Sequence, residues 1–551
     1  MGILRRDLII EILLVSLIIA GFIFITIQKI GFHPVPWKDE PWLMQPAYEI
    51  VKNGQMSSPM FRHFGNELGE RTFTDPAFTY LLAIWFRCFG FGMLEARLFN
   101  LTLSVGVLLL VYLLGRLLAG RTAGIIAISF LVLDNNYLTG SRFLRNDFAS
   151  IFFALAASFS YLKAKYLITS SSQNKTSSRL WFMASGLLAT MSALSHLNGL
   201  YIIVLLAVWL FIDYRFRMFI KLEPWIVAIS INLLALPYAI YCWVNRELYL
   251  AQWNTFAAGR TRGTTASGLW LNVLAEPKRY LDWNYGIVFI ERNPMVQLFK
   301  LLTIIAIIYL LAKIIWQLWK KIPSSPHIYL FTAILWTVTF FATEVSNKTH
   351  SYLPHLTTWF ALAIGVFGQD LFLKMVSWTP EFIKYLPEQE HPKELANEQK
   401  ILARIFFIII AVLVAIYIMP TGILLVKYQR YLATVEPTKY NKMATELVNI
   451  VSPELTPIGI PNYWHLFAAK NRDDYRAFSR RLIRKVLKGE FPDEQYAFIA
   501  DKRQQKKLLA IVEDLGPEAK RQVRLMAELT DTPYGKVWVY YIGTQEKFLN
   551  P

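Results

Sequence analysis

Eleven apolar runs dominate this 551-residue chain, near residues 8–30, 95–115, 122–138, 147–163, 180–196, 199–213, 225–243, 296–318, 328–343, 353–375 and 401–426. At a rise of about 1.5 Å per residue, roughly 20 helical residues cross the hydrocarbon of a bilayer, and the runs cluster near that length. Backbone amides in hydrocarbon have no water to bond, so segments like these are confined to helices. The expected fold class is a polytopic α-helical membrane protein with about 11 to 13 transmembrane helices.

Composition supports this class. Hydrophobic residues make up 55% of the chain and charged residues only 17%, too few to cover the surface of a soluble protein of this size. The net charge of +18 could point to nucleic acid, but the cations sit in short clusters between the apolar runs, as the positive-inside rule places them. No nucleic-acid partner is expected; the surrounding partners are membrane lipids. Cys88 and Cys242, the two cysteines, exclude a disulfide framework and a cysteine-based metal cluster. The first apolar run is too long for a cleaved signal peptide, and no small-residue cleavage site follows it.

Arg5-Arg6 set the N-terminus in the cytoplasm of a plasma (inner) membrane protein. Arg116, Arg121, Lys163, Lys165, Arg215, Arg217, Lys221, Lys320-Lys321 and the 384–400 segment fall on that same side. An odd number of spans then puts the C-terminal tail outside, with the loops that hold Asp39-Glu40, residues 142–147, 245–293 and 344–352. Two stretches of the first outer loop, 41–52 ending at Gly54 and 73–89, have the spacing of amphipathic helices lying in the interface. The 245–293 loop mixes Trp253, Trp270, Tyr280, Trp283 and Tyr285 with Arg260, Arg262, Lys278, Arg279 and Arg292, an aromatic belt beside phosphate-compatible cations.

Beyond Lys427 the apolar runs shorten and charge becomes frequent. Strand-like stretches at 457–460, 496–500, 523–526 and 537–542 alternate with helical ones at 443–451, 475–488 and 503–515. The division expected is a membrane domain over 1–430 and an extracytoplasmic α/β domain over 431–551. No nucleotide-phosphate loop is present in it.

Each unusual polar residue has a plain explanation when taken singly. Asp39-Glu40-Pro41 reads as a helix start, and Asp147 at the mouth of a span complements a helix N-terminus. Arg142 and Arg145 suit snorkelling, and Lys348, His350 and Tyr352 suit interface anchoring. His33, His63, His350 and His355 lack metal-ligand spacing, so no cofactor is called for and a divalent metal stays open. Taken together they gather two acids and several cations on one face beside lipid, which is the equipment for chemistry on a lipid phosphate.

The order of these motifs resembles the GT-C glycosyltransferases that use polyprenyl-phosphate sugars, the group containing the protein O-mannosyltransferases and the aminoarabinose transferases of lipid A. The resemblance begins with KDEPWLMQPAYEIVKNGQM, an Asp-Glu pair followed by an interfacial helix and a glycine. It continues from Glu95 through Arg97, Gly124, Ala127, Ser141-Arg142 and Asp147, then through SHLNGLYIIV and NKTHSYLPHL, where Tyr352 follows Lys348 by four residues. It covers residues 1–375, with the tail similar in outline to the aminoarabinose transferases.

The resemblance implies a membrane glycosyltransferase, mannosyltransferase-like in its family, that moves a hexosyl or pentosyl group from a polyprenyl-phosphate donor to a lipid, protein or glycan acceptor with inversion. By the same analogy Asp39 is the catalytic base, Asp147 a second site carboxylate and Glu40 its supporting neighbour. Arg260, Lys348, Tyr352, Arg142 and Arg97 then hold the donor and its phosphate. One departure stands out: relatives carry an acid and a basic residue before a proline where this chain has Thr74-Asp75-Pro76. Either another group such as Arg71 or Arg62 then supplies the missing cation, or the donor differs. Two rival classes fit parts of the sequence, a transporter or lipid flippase and an inactive scaffold that binds lipid-linked sugar. No internal repeat or matched broken helices favour a transporter, and the acids lie at span ends rather than mid-span.

Overall fold

A computed structural model describes residues 2–64, 69–170, 175–257, 266–281, 294–320, 325–345, 348–377, 430, 432–491 and 494–543. Among them, eight helices are long and apolar enough to cross a membrane, running from Leu8–Ile27 to Pro354–Lys374. The helix Lys175–Ser195 matches the expected run at 180–196 in position but is less apolar than these eight. The run at 401–426 lies outside the described residues.

The expected span at 122–138 takes a different form. A helix Arg121–Leu131 stops after eleven residues, and a second, Asn135–Gly140, begins where the buried Asp134 accepts a hydrogen bond from the Tyr137 amide at 3.0 Å. An N-cap acid inside an apolar stretch ends one helix and starts another, which hydropathy alone does not reveal.

Small residues set the closest helix approaches. A Cβ added at Gly115 would lie 2.7 Å from the Cα of Gly124, and one at Gly365 would lie 2.3 Å from the Ala123 carbonyl oxygen. The helices Met93–Leu118, Arg121–Leu131 and Pro354–Ser377 therefore pack backbone to backbone, as membrane helices do where dispersion replaces the hydrophobic drive.

Ionisable side chains divide between the two ends of this bundle. At one end, Glu11 meets Arg116 at 3.2 Å and Arg121 at 3.0 Å, Asp213 accepts from Tyr161 at 2.5 Å and pairs with Lys165 at 3.3 Å, and Asp370 pairs with Lys313 at 3.2 Å. The opposite end of the same helices carries Arg97, Asp147, His196, Lys348 and His355. These five side chains thus share one end of the bundle.

The helices Asp39–Asn53 and Pro76–Phe89 lie at this second end and link the bundle to the C-terminal sheet. The first starts after Lys38, with Asp39 and Glu40 in its opening turn, and stops at Gly54, which holds φ at 70° and returns its amide to the Ile50 carbonyl. The sheet has the order β2-β1-β3-β5-β4, with β1 Thr456–Gly459, β2 Arg476–Ala477, β3 Tyr496–Ala500, β4 Val523–Thr532 and β5 Gly535–Ile542. β1 runs parallel to β2 and β3, while β5 is antiparallel to β3 and β4. The helix expected over 475–488 is shorter, Arg480–Leu487, because Arg476 and Ala477 pair with β1 and Ser479 caps the helix from outside.

Alternation along the central strands separates two cores. Ala497, Ile499, Val537, Val539 and Tyr541 pack with Met44, Ala47, Phe78 and Leu82 from the helices at the membrane side. Phe498, Tyr540 and Ile542 face the other way, under the helices Arg480–Leu487 and Lys502–Leu515.

Candidate active site

Asp147 opens the helix Asn146–Ser170 and is 1% exposed. Its Oδ2 pairs with the Arg145 guanidinium, and its Oδ1 lies 3.1 Å from His355 Nε2 and 3.9 Å from His196 Nε2. One further contact orients His196. The Nδ1 of His196 accepts the Asn198 amide at 3.0 Å, which leaves the proton of the neutral ring on Nε2, facing Asp147. His355 is fully buried near the start of the helix Pro354–Ser377, and its Nδ1 has no hydrogen-bond partner among the described residues.

Arg145 bridges this buried carboxylate to the outer edge. Its guanidinium lies 5.8 Å from the Trp37 ring centre and 6.0 Å from that of Tyr352, and its Nε is buried without a hydrogen-bond partner among the described residues. Burial works against the charge, but the fields of Asp147, Tyr352 and Asp39 outweigh it and raise the guanidinium pKa. Asp39 is half-buried at the first turn of its helix, so Arg145 stands within the field of both sequence-predicted acids.

Beside this cluster a cavity of about 200 Å³ is lined by Asp75, His196, Asn198, Gln252, Glu344 and Tyr352, with Phe73, Tyr238, Tyr249 and Trp253 as apolar walls. Asp75 holds φ at 54° and ψ at 48°, a left-handed conformation costly for a non-glycine residue. Three contacts hold residues 71–75 in place. The Oδ2 of Asp75 accepts from Asn146 Nδ2 at 2.7 Å, the Gln252 amide donates to the Arg71 carbonyl at 2.7 Å, and the Tyr238 hydroxyl donates to the Phe73 carbonyl. Arg71, a candidate substitute cation, bonds Asn245 at 2.9 Å in an adjoining groove that also holds Tyr80 and Tyr241, while Arg62 is exposed.

Four other predicted site residues are committed to framework contacts. Glu40 and Arg97 form a fully buried pair, with Nε–Oε1 at 2.8 Å and Nη2–Oε2 at 2.7 Å, and Glu40 also accepts the amides of Trp37 and Leu144 at 2.9 Å. Arg142 donates to the carbonyls of Ile25, Thr26, Gln28 and His33, tying off the end of the first helix. Lys348 donates to the carbonyls of Phe341 and Ala342 at 2.9 Å and pairs with Glu276 at 2.9 Å, which uses its three protons; burial pushes its pKa down against the pull of Glu276. None of the four lines the cavity. Arg97, Arg142 and Lys348, expected to grip a lipid phosphate, thus make these hydrogen bonds within the frame, and like Arg145 they lie outside the residues that line the cavity. Arg260 falls outside the described residues.

Sequence reasoning gave Arg145 and His355 plain readings and did not single out His196, Asn146 or Asp75 as site groups. One signal was available: Arg145-Asn146-Asp147 is a contiguous polar triplet at the mouth of an apolar run. Among the described residues no group of three or more His, Cys, Asp or Glu side chains gathers closely enough to hold a metal ion.

The fold is similar to that of the GT-C glycosyltransferases. It superposes on ArnT from Cupriavidus metallidurans, solved with undecaprenyl phosphate bound, with a TM-score of 0.57 at 13% identity over 96% of this chain and 97% of that one. It also superposes on the oligosaccharyltransferase AglB from Archaeoglobus fulgidus, solved with an inhibitory peptide and a dolichol-phosphate, with a TM-score of 0.55 at 13% identity over 97% of this chain and 74% of that one. Within that class, residues 59–250 match the model of the dolichyl-phosphate-mannose-protein mannosyltransferase family. No curated protein matches the sequence.

Proposed function

We propose that the chain is a membrane glycosyltransferase that moves a sugar from a polyprenyl-phosphate carrier to a lipid, protein or glycan acceptor at the extracytoplasmic face of the plasma membrane. On this reading residues 1–430 form the transferring membrane domain and 431–551 an outer domain. The observation that carries the reading is Arg145, held by Asp147 and reached by the field of Asp39 beside a largely apolar cavity, in a fold shared with ArnT.

The chemistry follows from charge. An acceptor oxygen attacks the anomeric carbon, the bond from that carbon to the phosphate oxygen breaks, and the lipid phosphate leaves with the electron pair. Attack opposite the leaving group inverts the configuration. Asp39 takes the proton of an acceptor hydroxyl or orients an acceptor phosphate, and the Arg145 guanidinium donates to the departing phosphate, where a charge-assisted bond strengthens as charge develops. Asp147 and the two histidines position Arg145. Tyr352 and Asp75 line the sugar pocket, while Arg97, Glu40, Arg142 and Lys348 hold the frame. The family match at 59–250 favours mannose as the sugar.

The test is transfer of a radiolabelled sugar from polyprenyl-phosphate mannose and polyprenyl-phosphate aminoarabinose by purified protein, with lipid and peptide acceptors supplied separately. Transfer that is abolished in Asp39→Asn supports the assignment. Wild-type turnover in that variant would remove Asp39 from the chemistry, and lipid movement across vesicles with no glycosylated product would favour a flippase.

A further inference from the structure

The two helices that cover the membrane-distal face of the C-terminal sheet share a feature that sugar transfer does not use. Arg480–Leu487 places Arg480, Arg481, Arg484, Lys485 and the following Lys488 on one side, while Leu482, Ile483, Val486 and Leu487 are buried against the sheet. No acidic residue interrupts it. The neighbouring helix opens with Lys502, Arg503, Lys506 and Lys507 and buries Leu508, Ile511 and Val512 in the same core. Nine cations thus stand on two packed helices, where an ordinary solvated surface intersperses both signs.

Local acids neutralise little of this. Arg484 pairs with Asp514 at 2.6 Å and Lys485 with Glu490 at 3.0 Å, both at exposed positions where such pairs are weak. Arg480, Arg481, Lys488, Lys502, Arg503 and Lys506 have no carboxylate within 4.0 Å among the described residues. A groove of about 410 Å³ runs between the first set of cations, with Glu490 at its edge. Like charges held within a Debye length of about 10 Å repel one another, and a multivalent anion relieves that repulsion.

The direction of this face narrows the partner. The opposite face of the sheet packs on the helices at the membrane side through Ile499, Val539 and Tyr541, so the basic helices point away from the chain's own bilayer. We propose that the helices 480–487 and 502–515 form a docking site for a linear acidic glycan, a chain that repeats phosphate or carboxylate groups along its length. The inference stands apart from the transfer reaction, since it concerns binding alone.

The experiment uses the full chain in phosphatidylcholine nanodiscs and fluorescence anisotropy of labelled polyglycerol phosphate, polygalacturonate and neutral dextran. The expected result is saturable binding of one or both acidic polymers, weakening with added sodium chloride, and no binding of dextran. The relative affinity of the two acidic polymers tells phosphate from carboxylate. In R480E/R481E/K488E, and independently in K502E/R503E/K506E, binding falls at least tenfold with an unchanged thermal unfolding midpoint. Equal binding by wild type and both variants overturns the proposal, as does equal binding of dextran, or capture of phosphatidylglycerol vesicles without binding of either acidic polymer.

Discussion

Arg97 holds Glu40 through two parallel hydrogen bonds at 2.8 and 2.7 Å, with both side chains fully buried where the first interfacial helix meets the bundle. Glu40 therefore sits next to Asp39 in sequence while doing a separate job. Removing one partner leaves a bare charge in a dry site, at a cost of roughly 3–5 kcal/mol. Arg97→Ala should lose most folded protein, read as the monodisperse peak and unfolding midpoint in detergent. The double variant Arg97→Met with Glu40→Leu should recover only part of that loss, because the Trp37 and Leu144 amides lose their acceptor at about 1–3 kcal/mol each. Full recovery would mean that those two backbone bonds contribute nothing.

Asp75 separates strain from function. Its left-handed backbone costs of order 1 kcal/mol or more for a non-glycine residue, and glycine adopts it freely. Asp75→Gly should therefore keep or raise the unfolding midpoint, offset by loss of the Asn146 bond, while sugar transfer falls at least about 100-fold if the carboxylate serves the cavity. Wild-type transfer in Asp75→Gly would leave the residue as a loop feature.

Arg145 and Arg142 stand three residues apart and should respond differently. Arg145→Ala removes the cation paired with Asp147 beside the cavity, and a charged hydrogen bond of about 1.5–3 kcal/mol corresponds to a rise of roughly 10- to 100-fold in KM for the donor lipid, on top of the stability lost when buried Asp147 loses its partner. Arg142→Ala leaves four carbonyls without their donor and should show as lower stability with the donor KM unchanged. Steady-state kinetics beside thermal melts distinguish the two, and an unchanged donor KM in Arg145→Ala would remove it from phosphate binding.

The bundle was legible in the sequence because hydrophobicity at a length of about 20 residues has few other meanings. The break at Asp134 was not, since a single capping acid inside an apolar run changes the chain's path without changing its hydropathy. Within the site, Asp39 and Asp147 were found as acids at span ends, but which cation served them depended on three-dimensional pairing. Arg97, Arg142 and Lys348 look like phosphate ligands by residue type, and each is engaged by a partner distant in sequence: Glu40, the end of the first helix, and Glu276. Asp75 read as a departure from the family pattern. Its unusual backbone angle and its contact to Asn146 appear only once the helices are assembled.

Two buried histidines set the acid limit of the fold. His33 has its pKa lowered to about 4, first by burial and then by Arg142, Arg97 and Lys29; His465 falls to about 3, by burial and then by Arg97. Both rings are neutral in the folded chain at neutral pH, and the unfolded chain, with a pKa near 6.5, binds protons more readily. Stability is therefore full above about pH 6.5 and declines as pH falls from there toward 4, by an amount of order a few kcal/mol for the two together. The unfolding midpoint in detergent should drop between pH 7.5 and 5. Replacing His33 with Gln, which keeps a polar side chain and cannot take up a proton, should flatten that slope. A slope unchanged in His33→Gln would mean that His33 does not titrate on unfolding.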